Sequence, residues 1–159
     1  MARVFYVTIE GSKQGRFKGE SALANAKGKI EGLTFSSEVA SPHDVATGQA
    51  SGKRIHSPIT FTKQWGAASP QLFQATVTNE VLKSVLFEFI GTDKAGKEQV
   101  FETVKLTNAT IAELKRTLDE HTPEGAHGID QVSLVFQKIE ITDTISKTTA
   151  SDDWQLSSR

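Results

Sequence analysis

The chain has 159 residues, no cysteine and a formal charge of −1, with 18 Lys and Arg against 19 Asp and Glu. That length fits one domain, which buries roughly 70% of the surface its unfolded chain would expose, so a single core suffices. Lack of cysteine excludes disulfides, thiol catalysis and zinc–thiolate sites, and the balanced charge offers no positive face for nucleic acid.

Taken in chain order, strand periodicity dominates. Phe5, Val7 and Ile9 share one face, with Tyr6, Thr8 and Glu10 on the other. This start lacks a small-residue cleavage site and reads as a strand, not a signal peptide, so any export is expected to need no cleaved leader. No apolar run reaches the length of a membrane span, so no membrane insertion is expected. A turn at Gly11–Gly15 follows, and then Leu33, Phe35 and Val39 at even spacing. A long polar loop at about 41–57 carries Gly48 and Gly52, and Ile55, Ile59 and Phe61 resume the alternation. Loops of this length inside a domain are usually functional or disordered.

Ser69-Pro70 signals a helix over about 70–82: Ser caps free N–H groups, and Pro at the first helical position loses no hydrogen bond. Leu72, Phe73 and Val77 form its expected apolar stripe. Val81–Ile90 turns back to strand with Val85, Phe87 and Phe89 on one face. Thr92–Lys97 reads as a hairpin turn in which Gly96 takes the left-handed position, and Gln99–Leu106 is the return strand. From Thr110 a capping-box match and the spacing of Ile111, Leu114 and Leu118 favour a short helix to about Asp119, while Thr107, Thr110 and Thr117 favour a strand. His121–Gly128 is a loop. Val132, Leu134 and Phe136 are in one phase and Ile139 and Ile141 in the other, which predicts a bulge near Gln137-Lys138 or a strand bending across a barrel corner. About seven strand-like runs and one helix, without βαβ alternation, predict a mainly β chain: an antiparallel β-barrel or two-sheet sandwich with one α-helix.

No catalytic constellation stands out, and no cofactor or metal is expected. Gly48–Arg54 approaches a phosphate-binding loop but has its glycines one residue too close, Arg54 in place of the magnesium-holding Ser/Thr, and a strand where a helix is needed. His121 and His127 flank Glu124 in one loop, a weaker case for a metal than for a solvated loop. His43-Asp44 has no serine in a strand–turn–helix setting. Asp152-Asp153 are adjacent on an extended tail at about 150–159 and point apart, so they cannot flank one glycosidic bond. Trp154 reads as an anchor for that tail, and Trp65 as packing beneath the helix start.

Stretches along the whole chain carry a family resemblance: Phe5–Gly11, Ala46–Arg54, Ser57–Lys63, Ser69–Ala75, Asn79–Leu82, Lys105–Ala109, Phe136–Ile139 and Asp152–Trp154. Together they resemble the haemolysin-coregulated protein (Hcp) family, the inner-tube proteins of type VI secretion systems. The resemblance implies a single barrel domain over residues 1–159 that assembles as a ring of six. Rings would stack into a tube that a contractile sheath drives out, tipped by a spike protein and carrying small effectors in its lumen. The protein would be made in the bacterial cytoplasm and secreted. The resemblance also implies that the 41–57 loop reaches the next ring, with Ser41, Pro42, His43, Asp44, Val45, Thr47, Gly48, Gln49, Gly52, Lys53 and Arg54 as stacking candidates, and that 107–118 is strand. Some members carry a toxin domain after the barrel; with so few residues after Trp154, a pure tube component is expected. The competing expectation is a small ligand-binding barrel or glycan-directed enzyme, which needs a deep polar pocket inside the subunit. An interior filled by Phe5, Val7, Leu33, Phe35, Phe61, Phe87, Phe89, Leu134 and Phe136 would exclude it.

Overall fold

Alternating apolar residues organise the structure. The computed structural model describes residues 4–21, 27–120, 122, 124–125 and 127–154. Its elements in chain order are β1 (Val4–Gly11), β2 (Gly15–Arg16), β3 (Ile30–Gly32), β4 (Thr34–Ser36), β5 (Val39–Ala40), β6 (Ile55–His56), β7 (Ile59–Gln64), α1 (Ser69–Thr78), β8 (Leu82–Thr92), β9 (Glu98–Thr117), β10 (Ile129–Asp143) and β11 (Thr148–Asp153). All strand pairs are antiparallel, in the order β3-β1-β8-β9-β10-β7-β4. The two ends of that row, β3 and β4, are separated by Leu33 alone, so one run of chain pairs first with β1 and then with β7. This closes the sheet into a barrel. β10 is long enough to pair with β7 through Ile129–Leu134 and with β11 through Lys138–Asp143 along one edge. Closure satisfies backbone groups that an open sheet would expose.

The barrel interior is apolar and aromatic. Val7, Ile9, Phe61, Leu72, Leu82, Val85, Phe87, Leu106, Val132 and Leu134 are fully buried, each worth about 1.5–3 kcal/mol as removed apolar surface. The rings of Phe5, Phe35, Phe87 and Phe89 meet at centroid distances of 4.9–6.2 Å, and Phe61 joins through Phe87 at 5.5 Å. Most of these contacts are tilted or edge-on, the arrangement that the ring quadrupole favours.

The phase slip foreseen near Gln137 is a corner running across several strands. Buried residues are three apart, not two, between Leu82 and Val85, between Leu106 and Ala109, and between the half-buried Phe136 and Ile139. These positions are neighbours: Leu82 pairs with Ala109, Ala109 with Phe136, and Leu106 with Ile139. At the bend Asn108 adopts φ +51°, and its amide donates to Gln137 Oε1 at 3.0 Å. On the other side β1 and β8 shift register by one residue at Glu10/Gly11. The slip is a bend and not a bulge at 137–138, because β9 and β10 keep one register through it.

Several expectations are corrected. Residues 107–117 are strand, as the resemblance implies and against the local helix signal, paired with β10 throughout and with β8 as far as Ala109; the helix signal has a local cause. β9 carries one extra residue at Ala112, opposite Ser133/Leu134. This bulge brings Ile111 and Leu114 to the same face at the i, i+3 spacing of a helix. α1 stops at Thr78, short of 82, because Asn79 turns left-handed at φ +53°. Its buried residues are Ser69, Leu72 and Ala75, whereas Phe73 and Val77 are more than half exposed. Ser69 is not the cap: Ala68 is, and the Ser69 hydroxyl accepts from Gly66 N and donates to Asp130. Leu33, Val39 and Ile55 are exposed and lie outside the core, since Leu33 is the crossover between β3 and β4 and the other two sit on β5 and β6. The strand expected from Ile55 to Phe61 is split at Ser57-Pro58. The tail begins as an ordered strand, β11. Trp65 lies against Gly128 and under the Arg116 guanidinium, 4.4 Å from its ring centre. The Thr92–Lys97 turn has Gly96 at φ +83°, as expected. Residues 121, 123, 126 and 155–159, in the expected loop and tail, lie outside the described residues.

Candidate functional site: the arm and its root

The 41–57 loop is a two-stranded arm. β5 and β6 form their own ladder, Val39↔His56 and Ala40↔Ile55, in a sheet separate from the barrel. Beyond them Ser51 N donates to Pro42 O at 2.9 Å and His43 bridges Ala50. The tip turns at Asp44–Gln49: Asp44 N donates to Gln49 O, Gly48 N to Asp44 O, and Ala46 N to the Asp44 carboxylate. Gly48 supplies the left-handed residue at φ +72°. From Ser36 to Lys53 every residue except Pro42 is exposed, and Val45 at the tip is 100% exposed. The arm therefore buries almost nothing against its own barrel. Of the stacking candidates, Ser41, Pro42, His43, Asp44, Val45, Thr47, Gly48, Gln49, Gly52 and Lys53 lie along it, and Arg54 lies at its root.

At that root the arm meets β11. Arg54 directly precedes β6 and His56 ends it, and both side chains turn toward β11. Both reach one carboxylate. Arg54 donates Nε and Nη2 to Asp152 at 2.5 and 2.6 Å, and a further bond to Asp153 O at 3.3 Å. His56 Nε2 lies 2.7 Å from Asp152 Oδ2. The guanidinium, and after it the imidazole, hold the Asp152 carboxyl down at about 2, well below the usual carboxylate range. Trp154 closes the cluster: its ring meets His56 edge-on at 5.2 Å, with the Arg54 guanidinium 5.4 Å from its centre. Phe136 meets the other side of His56 at 5.3 Å. Trp154 thus lies against the root of the arm. Beside the cluster lies a mainly apolar cavity of about 220 Å³, with Val39, Ile59, Phe136, Ile139 and Ile141 in its lining.

Sequence reading picked out Arg54 and Trp154 but missed that His56 and Asp152 join them. The Arg54/His56 spacing at a strand start was the available signal. Asp152, 98 residues from Arg54, had none beyond its place beside Trp154.

A second polar cluster is buried at the start of α1. Lys63 and Asp130 are both fully buried, 3.8 Å apart, and Lys63 lies 3.5 Å from Glu20. Arg116 Nε donates to Asp130 at 2.9 Å and Ser69 Oγ donates at 2.6 Å. Burial pushes the Glu20 carboxyl up even with Lys63 beside it. These groups satisfy one another and pin the helix start to the barrel, as buried charges require. Among the described residues, no three His, Asp or Glu side chains gather as a metal site, and no helix is long and apolar enough to cross a membrane.

The class is thus a closed antiparallel barrel with a filled aromatic interior, one helix and a solvated arm. Comparison with known proteins then gives the family. Residues 6–142 match the family described as "Type VI secretion system effector, Hcp". The chain is 31% identical to the major exported protein of Pseudomonas aeruginosa, over 98% of this chain and 97% of that one. A crystal structure of an Hcp protein superposes with a TM-score of 0.88 at 27% identity, covering 96% of this chain and all of the other. The Hcp1 protein of E. coli EAEC 042 superposes at 0.85 with 28% identity, covering 97% and 99%. The chain belongs to the Hcp family of type VI secretion proteins, a family of structural components and not of enzymes.

Proposed function

We propose that the chain is a non-enzymatic tube subunit: six copies close into a ring, rings stack through the arm, and small effectors ride in the lumen. Spike and sheath proteins are the further partners of such a tube. In this reading the protein is secreted from the bacterial cell; its Pseudomonas relative is named the major exported protein. The exposed arm carries the proposal. An ordered hairpin that buries almost nothing on its own barrel needs another surface to justify its order, and Val45 and Ile55 stand exposed along it.

A second set of exposed apolar residues supports ring contacts. Phe73 and Val77 lie one turn apart on α1, followed by Val81, and Ile141 and Ile145 stand elsewhere on the surface. A head-to-tail contact between two different patches closes into a ring when its rotation divides a full turn. The filled interior also supports a structural role, since a ligand-binding barrel or glycan-directed enzyme needs a pocket there.

Native mass measurement tests the ring. The expected result is a hexamer at modest concentration, and a monomer at high concentration overturns the proposal. Deleting Val45–Ser51 is expected to preserve rings but to weaken stacking and secretion. Unchanged stacking and secretion would remove the arm from the account.

A further inference from the structure

We propose that Asp152 is a latch that sets the direction in which the arm leaves the barrel, with Arg54 and His56 as its two catches. The argument starts from what the backbone does not do. The arm's ladder belongs to a sheet of its own and pairs with no barrel strand. A lone two-stranded ribbon is marginal in water and is free to swing about its root. Here the two chains of the root are Ser36–Glu38 and Ser57-Pro58, and the contact that crosses between them, Ser57 N to Glu38 O, lies within the ribbon and not between ribbon and barrel.

Side chains must therefore set the direction. Among the described residues, every side-chain hydrogen bond joining 41–56 to the barrel ends on Asp152 or on the carbonyl of Asp153. The arrangement suits that task in three ways. Arg54 binds through two nitrogens, and a forked ion pair fixes orientation as well as distance. His56 approaches the same oxygen from two residues further along the chain, so the carboxylate is gripped from two points of the ribbon. The His56 ring is also held between Phe136 of β10 and Trp154 beyond β11, which restricts rocking sideways. The receiving carboxylate is itself rigid, because Asp152 pairs with Ile139 in the β10–β11 ladder. Bond, grip and platform together make Asp152 a positioning residue for the arm. That an aimed arm assists stacking rests on the proposed function; the latch itself does not.

The cysteine-free sequence makes the test direct, because two introduced cysteines label uniquely. Spin labels at Val45→Cys on the tip and Lys105→Cys on β9 report the arm's direction as a distance distribution, with labelled chains diluted into unlabelled ones. The latched protein is expected to give one narrow distance. Asp152→Asn, which keeps the shape and removes the charge, is expected to lose the narrow peak to a broad distribution. Arg54→Met is expected to do the same from the other side, and should Asp152→Asn fail to fold, Arg54→Met carries the test. The double variant is expected to be no broader than the broader single one, as for two halves of one interaction. An unchanged narrow peak in the folded variants, or additive broadening, overturns the latch. Ring formation is read separately by native mass on the same samples. A missing hexamer with a broadened peak removes the tube reading and keeps the latch; a hexamer with an unchanged peak does the reverse.

Discussion

The barrel and the arm are built from the same chain by opposite rules. In the barrel, β8, β9 and β10 carry fully buried Phe87, Leu106 and Leu134, and each strand is hydrogen-bonded on both edges. In the arm, a two-pair ladder and one bridge hold a ribbon whose side chains almost all face water. The barrel's shape is thus fixed by burial, which is large and indifferent to direction. The arm's shape is fixed by a handful of hydrogen bonds, each worth only about 1 kcal/mol net. Evolution could alter the arm's residues without disturbing the fold, while most interior changes would be felt throughout the barrel.

Substitutions sharpen that contrast. Phe61→Ala removes a wholly buried ring that meets Phe87, and is expected to cost about 3–5 kcal/mol, read as a lowered Tm or denaturant midpoint. Glu80→Ala is expected to cost about 1–3 kcal/mol, because its buried carboxylate accepts from the amides of Lys13 and Gln14 and from the Gln14 side chain, which would be left without it. Burial alone would push the Glu80 carboxyl up, but these donors together hold it below the usual range. Its stabilising contribution is therefore present above the ordinary carboxylate pKa and is lost as pH falls through the depressed one. Asp152 behaves alike, with its loss spread from about 3.8 down to about 2. A pH titration of stability should show Glu80→Gln less sensitive to acid than the parent. Smallest of all, Val45→Ser at the fully exposed tip is expected to move stability by less than about 0.5 kcal/mol while weakening any contact between rings. A large loss of stability from Val45→Ser would show that the arm is part of the core, and would dissolve the contrast.

How much of this was legible follows the same division. Phe5, Val7 and Ile9, and Val85 and Phe87, alternate because their strands are half-buried, and period two survives translation from sequence to structure. Of the expected stripe only Leu72 is buried; Phe73 and Val77 misled because an apolar stripe says that a face is sticky, not which surface covers it, and on this chain the buried face is completed by the small Ser69 and Ala75. Ile111 and Leu114 misled for a geometric reason, since a bulge at Ala112 imitates helical spacing. The arm was visible as a long polar stretch with two glycines, but its hairpin order was not, because the pairing of His43 with Ala50 has no apolar pattern to announce it. The Arg54–Asp152 pair lay beyond any local rule. Only the shared edge of β10, which takes β7 and then β11, brings Asp152 beside the arm's root.

The crossover at Leu33 has a mechanical meaning. Where the other staves are joined along most of their length, the circumference between β1 and β7 is fastened by three residue pairs on one side and three on the other. A zip that short is the first place to part when the cylinder is strained, and its parting would uncover Phe35 and the ring of Phe5 beneath it. The wall of this cylinder has one seam, and residues 30–36 are its stitching.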